Sequence, residues 1–242
     1  MNQYCLEIAT FTLDGALIAE KAGANRIELC ENPNDGGTTP SYGTLKKARE
    51  IISIPIFPII RPRGGDFVYS QYEFEAMKYD ISLCKDLGYE GIVIGILDSD
   101  GHVDIERISA LVALAQPMQV TFHRAFDRTK DAVESLEKII DCGCSRILTS
   151  GQTPSVINGL DLIKDLIDRA TDRIIIMPGS GLNSLNIDKI VKFTNAKEFH
   201  TAARIKVHHQ EVYSPQSMNE ELSYISVDET EVSKIRSILD KR

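Results

Sequence analysis

Apolar and polar positions along this chain follow two periods that take turns. Short runs rich in Ile, Val and Leu, such as Ile54-Pro55-Ile56-Phe57-Pro58, read as strands buried on both faces. Between them lie longer segments whose apolar residues recur every three or four positions, as in amphipathic helices. Strands are predicted near 4–9, 26–30, 56–61, 91–96, 118–124, 145–150, 173–178 and 197–201. Helices are predicted near 13–22, 43–52, 70–87, 104–115, 131–142, 155–170, 183–193 and 228–240, with Asp228 capping the last. The stretch 205–227 is left as a long loop before that final helix. No linker or low-complexity tract interrupts the alternation, which predicts βα units around a parallel sheet. Eight of each element predict a single α/β domain, the closed TIM (β/α)8 barrel.

A weak internal repeat supports closure. Gly23-Ala24-Asn25-Arg26-Ile27-Glu28-Leu29 recurs in form as Gly88-Tyr89-Glu90-Gly91-Ile92-Val93-Ile94 and as Gly143-Cys144-Ser145-Arg146-Ile147-Leu148-Thr149. A looser copy is Asn195-Ala196-Lys197-Glu198-Phe199-His200-Thr201. Each reads as a helix C-cap followed by a strand. The copies fall on alternate strands, which share side-chain layers in such a barrel. Ile27, Ile92, Ile147 and Phe199 are expected to face the helices. Glu28 and His200 then point inward, in one layer with Val93 and Leu148. Cys30, Gly95 and Ser150 sit one layer nearer the mouth.

Composition narrows the function classes. The chain has 242 residues, 43% hydrophobic and 26% charged, as an ordinary globular protein does. A net charge of −8 argues against a general nucleic-acid surface. No run approaches the ~18 apolar residues of a membrane helix. The start, Met1 to Glu7, lacks the basic and apolar regions of a signal peptide. Five cysteines at irregular spacing suggest no disulfide framework, so a reduced, cytoplasmic protein is expected.

Barrel chemistry collects at the carboxyl ends of the strands. Ile59-Ile60-Arg61-Pro62-Arg63-Gly64-Gly65-Asp66-Phe67 ends a strand in two arginines and two glycines. Guanidinium forks favour carboxylate or phosphate, and glycines admit close backbone approach. The alternative for Arg61 and Arg63 is an internal ion-pair network with Glu7, Glu28 or Asp66. Gly179-Ser180-Gly181 falls where such barrels often bind phosphate, although a tight turn explains it equally well. Arg124, Ser150 and His200 complete the expected anion site. His123 is a candidate general acid/base, or else a core histidine. Glu7 and Glu28 could form a carboxylate pair for proton transfer, or simply neutralise the arginines. Cys30 is the one cysteine placed near the mouth. Cys5, Cys84, Cys142 and Cys144 read as core. His208-His209 reads as a solvated loop.

Several of these stretches together resemble the CutC family, named as copper homeostasis proteins. They are Gly23–Cys30, Gly36-Gly37-Thr38-Thr39-Pro40-Ser41, Ile60–Phe67, Val120-Thr121-Phe122-His123-Arg124-Ala125-Phe126-Asp127, Leu148–Gly151 and Met177–Gly181. The resemblance implies a TIM barrel, a cytoplasmic location, self-association as a homodimer or higher homo-oligomer, and a link to copper. Cu(I) binding is proposed for some members, with soft thiolate ligands. Cys30 is the matching position here. Where some members carry a second cysteine, two positions after the strand-one glutamate, this chain has Ala9. Two functions are therefore expected: Cu(I) handling at Cys30, or an enzyme acting on a small phosphorylated or carboxylated metabolite. A purely scaffolding role would leave the polar mouth without a reason.

Overall fold

The structure is a computed structural model and describes residues 4–208, 213, 215, 217–219 and 221–242. Its parallel strands are β1 (Cys5–Thr10), β2 (Arg26–Leu29), β3 (Ile56–Pro58), β4 (Gly91–Ile94), β5 (Gln119–Phe122), β6 (Arg146–Thr149), β7 (Ile175–Pro178) and β8 (Glu198–Thr201). They alternate with α1 (Leu13–Lys21), α2 (Tyr42–Ile51), α3 (Gln71–Asp86), α4 (Ile105–Ala115), α5 (Ala132–Asp141), α6 (Leu160–Ala170) and α7 (Ile187–Thr194). Strand order is β3-β2-β1-β8 in one sheet and β4-β5-β6-β7 in the other. A parallel Ile59–Val93 bridge joins them on one side, and β7 packs beside β8 on the other. The result is the expected (β/α)8 barrel in one domain.

Local chemistry sets the element ends. Thr12, Ser41, Ser70, Asp104 and Asp131 each accept a backbone N–H at a helix start, and Ser70 forms a reciprocal capping box with Glu73. The four repeat copies each begin with a left-handed residue: Gly23, Gly88, Gly143 and Asn195 have φ of 99°, 75°, 84° and 59°. That turn ends each helix and feeds the next strand. The outward faces, including Ile27, Ile92, Ile147 and Phe199, are fully buried in one core between sheet and helices.

The segment expected as a loop over 205–227 is different. It contains β9 (Arg204–His208) and β10 (Ser223–Val227), paired antiparallel from Arg204–Val227 to His208–Ser223. The β9 side chains are mostly exposed and β10 buries only Ser226 and Val227, so the apolar signal that marks a core strand is weak. His208 ends β9, whereas His209 lies outside the described residues, as do Met1–Gln3. Then α8 (Glu229–Asp240) begins, with Asp228 accepting from the Glu231 N–H as its cap. No helix among the described residues is long and apolar enough to cross a membrane.

Candidate functional site

The carboxyl ends of the strands enclose a cavity of about 790 Å³. Glu28, Arg61, His123, Arg124, Leu148 and His200 form its inner wall, and the loops after β2, β3, β7 and β8 form its rim. Beneath it, the barrel interior is charged. Arg146 donates to Glu198 at 2.7 Å, Arg26 donates to Glu198 at 2.6 Å, and Arg26 Nε also donates to Glu7. The guanidiniums of Arg26 and Arg146 lie 5.0 and 5.4 Å from the centre of the Phe57 ring. Arg26, Arg146 and Glu198 share the inward parity of Glu28, Leu148 and His200, but the sequence reading did not draw them inward. The alternation along each strand was the signal that could have found them.

Strand register builds the acid–base group. Glu7 of β1 lies level with Arg26 of β2 and with His200 of β8. Glu7 and His200 hydrogen-bond between Oε1 and Nδ1 at 2.8 Å, and His200 Nε2 faces Glu28 Oε2 at 3.7 Å. Burial opposes the charge on Glu7, but Arg26 and then His200 outweigh it and hold the carboxyl well below the usual range. Burial would likewise discharge His200, but Glu28 and Glu7 outweigh it and raise its pKa. Glu28 moves the other way. Burial raises its pKa, and Glu7 adds to the rise. Glu28 and His200 line the cavity, whereas Glu7 is completely buried below them.

The arginines divide. Arg61 is buried and donates to the carbonyls of Asp35, Gly37 and Gly65 at 2.6, 2.9 and 2.9 Å. Among the described residues it makes no ion pair, so the alternative of an internal network with Glu7, Glu28 or Asp66 does not form on it. Arg63 was expected at the anion site and lies outside the cavity wall. It is held instead by Glu73 at 2.6 Å and Asp66 at 3.0 Å. Arg124 does line the cavity, with Nε on Asp127 at 2.7 Å and a terminal nitrogen on Ser150 Oγ at 2.9 Å. Ser150 is fully buried, with its hydroxyl between Asp127 Oδ2 at 2.9 Å and the Thr153 carbonyl at 2.5 Å, so it holds Arg124 rather than facing the cavity. Arg128, which sequence reasoning passed over, lines the same cavity, and its side chain has no partner among the described residues.

His123 ends β5 in the cavity wall. Its Nδ1 accepts the Ala125 N–H at 3.1 Å, which puts the ring proton on Nε2. Burial, followed by the nearby Arg61 charge, lowers its pKa to about 3. At neutral pH it is therefore an uncharged imidazole that keeps an Nε2–H donor.

The turn after β7 also differs in detail. Gly179 spends its N–H on the Thr149 carbonyl at 2.9 Å, and a Cβ there would sit 2.5 Å from Leu148. It is a packing glycine, not an anion donor. Ser180 and Gly181 follow with φ of 75° and 76°. The N–H groups of Ser180, Gly181 and Leu182 have no acceptor among the described residues, and all three residues line the cavity. Successive free amides at a turn are a donor arrangement of the kind that suits an anion.

Cys30 was tested as a Cu(I) ligand by its surroundings. It packs with Phe57, Ile59 and Val93, and stands outside the cavity wall. Burial, followed by the Glu28 charge, pushes its thiol well above the ordinary value, away from the thiolate that Cu(I) needs. Ala9 is level with Glu28 in the register and supplies no donor. The described residues contain no cluster of three or more His, Cys, Asp or Glu able to hold a metal ion. The donor set does not fit Cu(I).

The model of the CutC family matches residues 4–205. A copper homeostasis protein cutC homolog of Mus musculus is 44% identical, over 98% of this chain and 89% of its own length. A solved CutC structure from Streptococcus agalactiae, 35% identical, superposes with a TM-score of 0.79 over 82% of this chain and 98% of that one. Phosphoribosyl anthranilate isomerase from Thermotoga maritima, 12% identical, gives a TM-score of 0.62 over 99% of this chain and 100% of that one, a likeness of fold alone.

Proposed function

The chain belongs to the CutC family, and on that premise we propose that its barrel mouth is an acid–base active site for a small anionic metabolite. The observation that carries the reading is His200, held by Glu7 and facing Glu28 at the cavity wall. Glu28 exchanges a proton with the substrate. Its raised pKa makes it a stronger base than a free glutamate and a usable acid in the return step. His200 supplies the facing positive charge, while Glu7, braced by Arg26, fixes the imidazole's orientation. The amides of Ser180, Gly181 and Leu182, with Arg124 and Arg128 on the rim, take a phosphate or carboxylate.

The test is deuterium wash-in. The protein is incubated in D2O with a panel of phosphorylated hydroxy- and keto-compounds and keto acids, and exchange at carbon is followed by NMR. One compound is expected to exchange, and Glu28→Gln is expected to slow it by about 10²–10⁴-fold. If no panel member exchanges or raises the melting temperature, the enzyme reading fails.

Copper handling is the second reading, supported by the relatives' name, copper homeostasis protein. It would place Cu(I) on Cys30, with a second thiol brought from elsewhere. Because that thiol is buried and protonated, an anaerobic competition titration is expected to give the same weak Cu(I) affinity for wild type and Cys30→Ser. A tight stoichiometric site lost in the variant would replace the enzyme reading with copper handling. Under either reading we place the protein in the cytoplasm, a setting that its five free cysteines support.

A further inference from the structure

Two donor nitrogens in the cavity wall lack partners: Arg61 Nε and His123 Nε2. Both residues are only 4% exposed. Unpaired buried donors are costly, and native structures keep few without a use. These two share one cover. The Phe67 ring lies 4.9 Å from the Arg61 guanidinium and 4.9 Å from the His123 ring centre. Phe67 is itself only half-buried and lines the cavity.

The chemistry of the gap is one-sided. Three of the four terminal N–H groups of Arg61 already hold the carbonyls of Asp35, Gly37 and Gly65, and Nε is its one nitrogen with no partner among the described residues. His123 Nδ1 already accepts a backbone N–H, which leaves Nε2–H. Both remaining groups donate, so only an acceptor completes them. Arg61 has no carboxylate partner among the described residues, which favours an acceptor that is negatively charged.

Resting on the proposed function only for the cavity being a ligand site, we infer that Phe67 covers a second acceptor subsite. There Arg61 Nε–H and His123 Nε2–H take an anionic oxygen of the ligand once the ring turns outward. The subsite lies between the ends of β3 and β5, and the Ser180–Leu182 amides follow β7, two strands from His123 and four from Arg61 around the barrel. The ligand class is therefore a small molecule with an anionic group at each end, its middle passing the Glu28–His200 pair. Low basicity keeps His123 in the donor form required.

Two matched probes test this. 3-Phosphonopropionate carries a phosphonate and a carboxylate; propylphosphonate lacks the carboxylate. Binding is followed by NMR at the His123 Nε2–H and at the Ser180–Leu182 amides. Both probes are expected to move the amides. Only 3-phosphonopropionate is expected to move the His123 signal, and to bind about tenfold more tightly. Arg61→Gln is expected to abolish that preference. Because Arg61 also braces the loops after β2 and β3, Phe67→Ala provides the independent check, and it is expected to keep or increase the preference. Equal affinities with movement of the amides alone would overturn the subsite and leave the proposed function standing. No movement by either probe would overturn both.

Discussion

His123 and His200 carry opposite pH signatures. His123 falls from the ordinary 6.5 to about 3 on folding. The unfolded chain therefore binds the extra proton between those values. Its contribution to stability is complete above 6.5 and is lost as pH falls toward 3, at up to about 1.4 kcal/mol per pH unit. His200 is raised, so its contribution is complete below 6.5 and is lost as pH rises through the folded value. Urea unfolding at pH 5 and 7.5 should show it. His123→Gln is expected to flatten the acid arm, and His200→Gln to be most destabilising at the acid end. An unchanged acid arm in the first variant would refute the burial argument. At this scale sequence was informative about direction and poor about partners. Strand parity pointed Glu28 and His200 inward correctly. Nothing in Arg-Pro-Arg-Gly-Gly told Arg61, which holds three carbonyls, from Arg63, which is paired with Glu73 and Asp66. Both depend on loops that fold back from elsewhere.

The element that gives most to its neighbours is β4. Its inward positions include Gly91, and Gly95 follows just beyond the strand. A Cβ on Gly91 would lie 2.4 Å from the Phe57 ring, and one on Gly95 would lie 2.4 Å from His123. Small residues here make room for the ring between Arg26 and Arg146, and for the histidine of the cavity wall. Gly91→Ala is expected to lose about 1–3 kcal/mol from overpacking. A thermal melt matching wild type would show that Phe57 has slack. The strands and helices themselves were legible because burial writes its period into the chain, and Asp228 was placed correctly as a cap. The β9–β10 pair was not. A two-stranded ribbon that buries only Ser226 and Val227 leaves too little apolar signature, so the sequence read there as loop.

Viewed whole, the barrel places its charges along its axis. Arg146, Glu198, Arg26, Glu7, His200 and Glu28 alternate in sign from floor to mouth when His200 is protonated and Glu28 ionised. The closed fold was readable from eight alternating units, but this column was not, because a buried arginine and a surface arginine look alike in sequence. The column also depends on how the sheet closes. Strands β4 to β7 are consecutive, whereas β1 pairs with β8, and the Glu7–His200 hydrogen bond spans 193 positions of sequence. Contacts so distant are slow to form, since the loop entropy must be overcome first. In a refolding experiment, helical signal is expected to return before any signal from His200, and ligand binding to return with His200. Simultaneous recovery of all three would contradict that order. A nascent chain would then carry most of its helices while still chemically silent. On the proposed reading the site gains its proton-handling ability only when β1 and β8 have met, so reactivity reports that the barrel has closed.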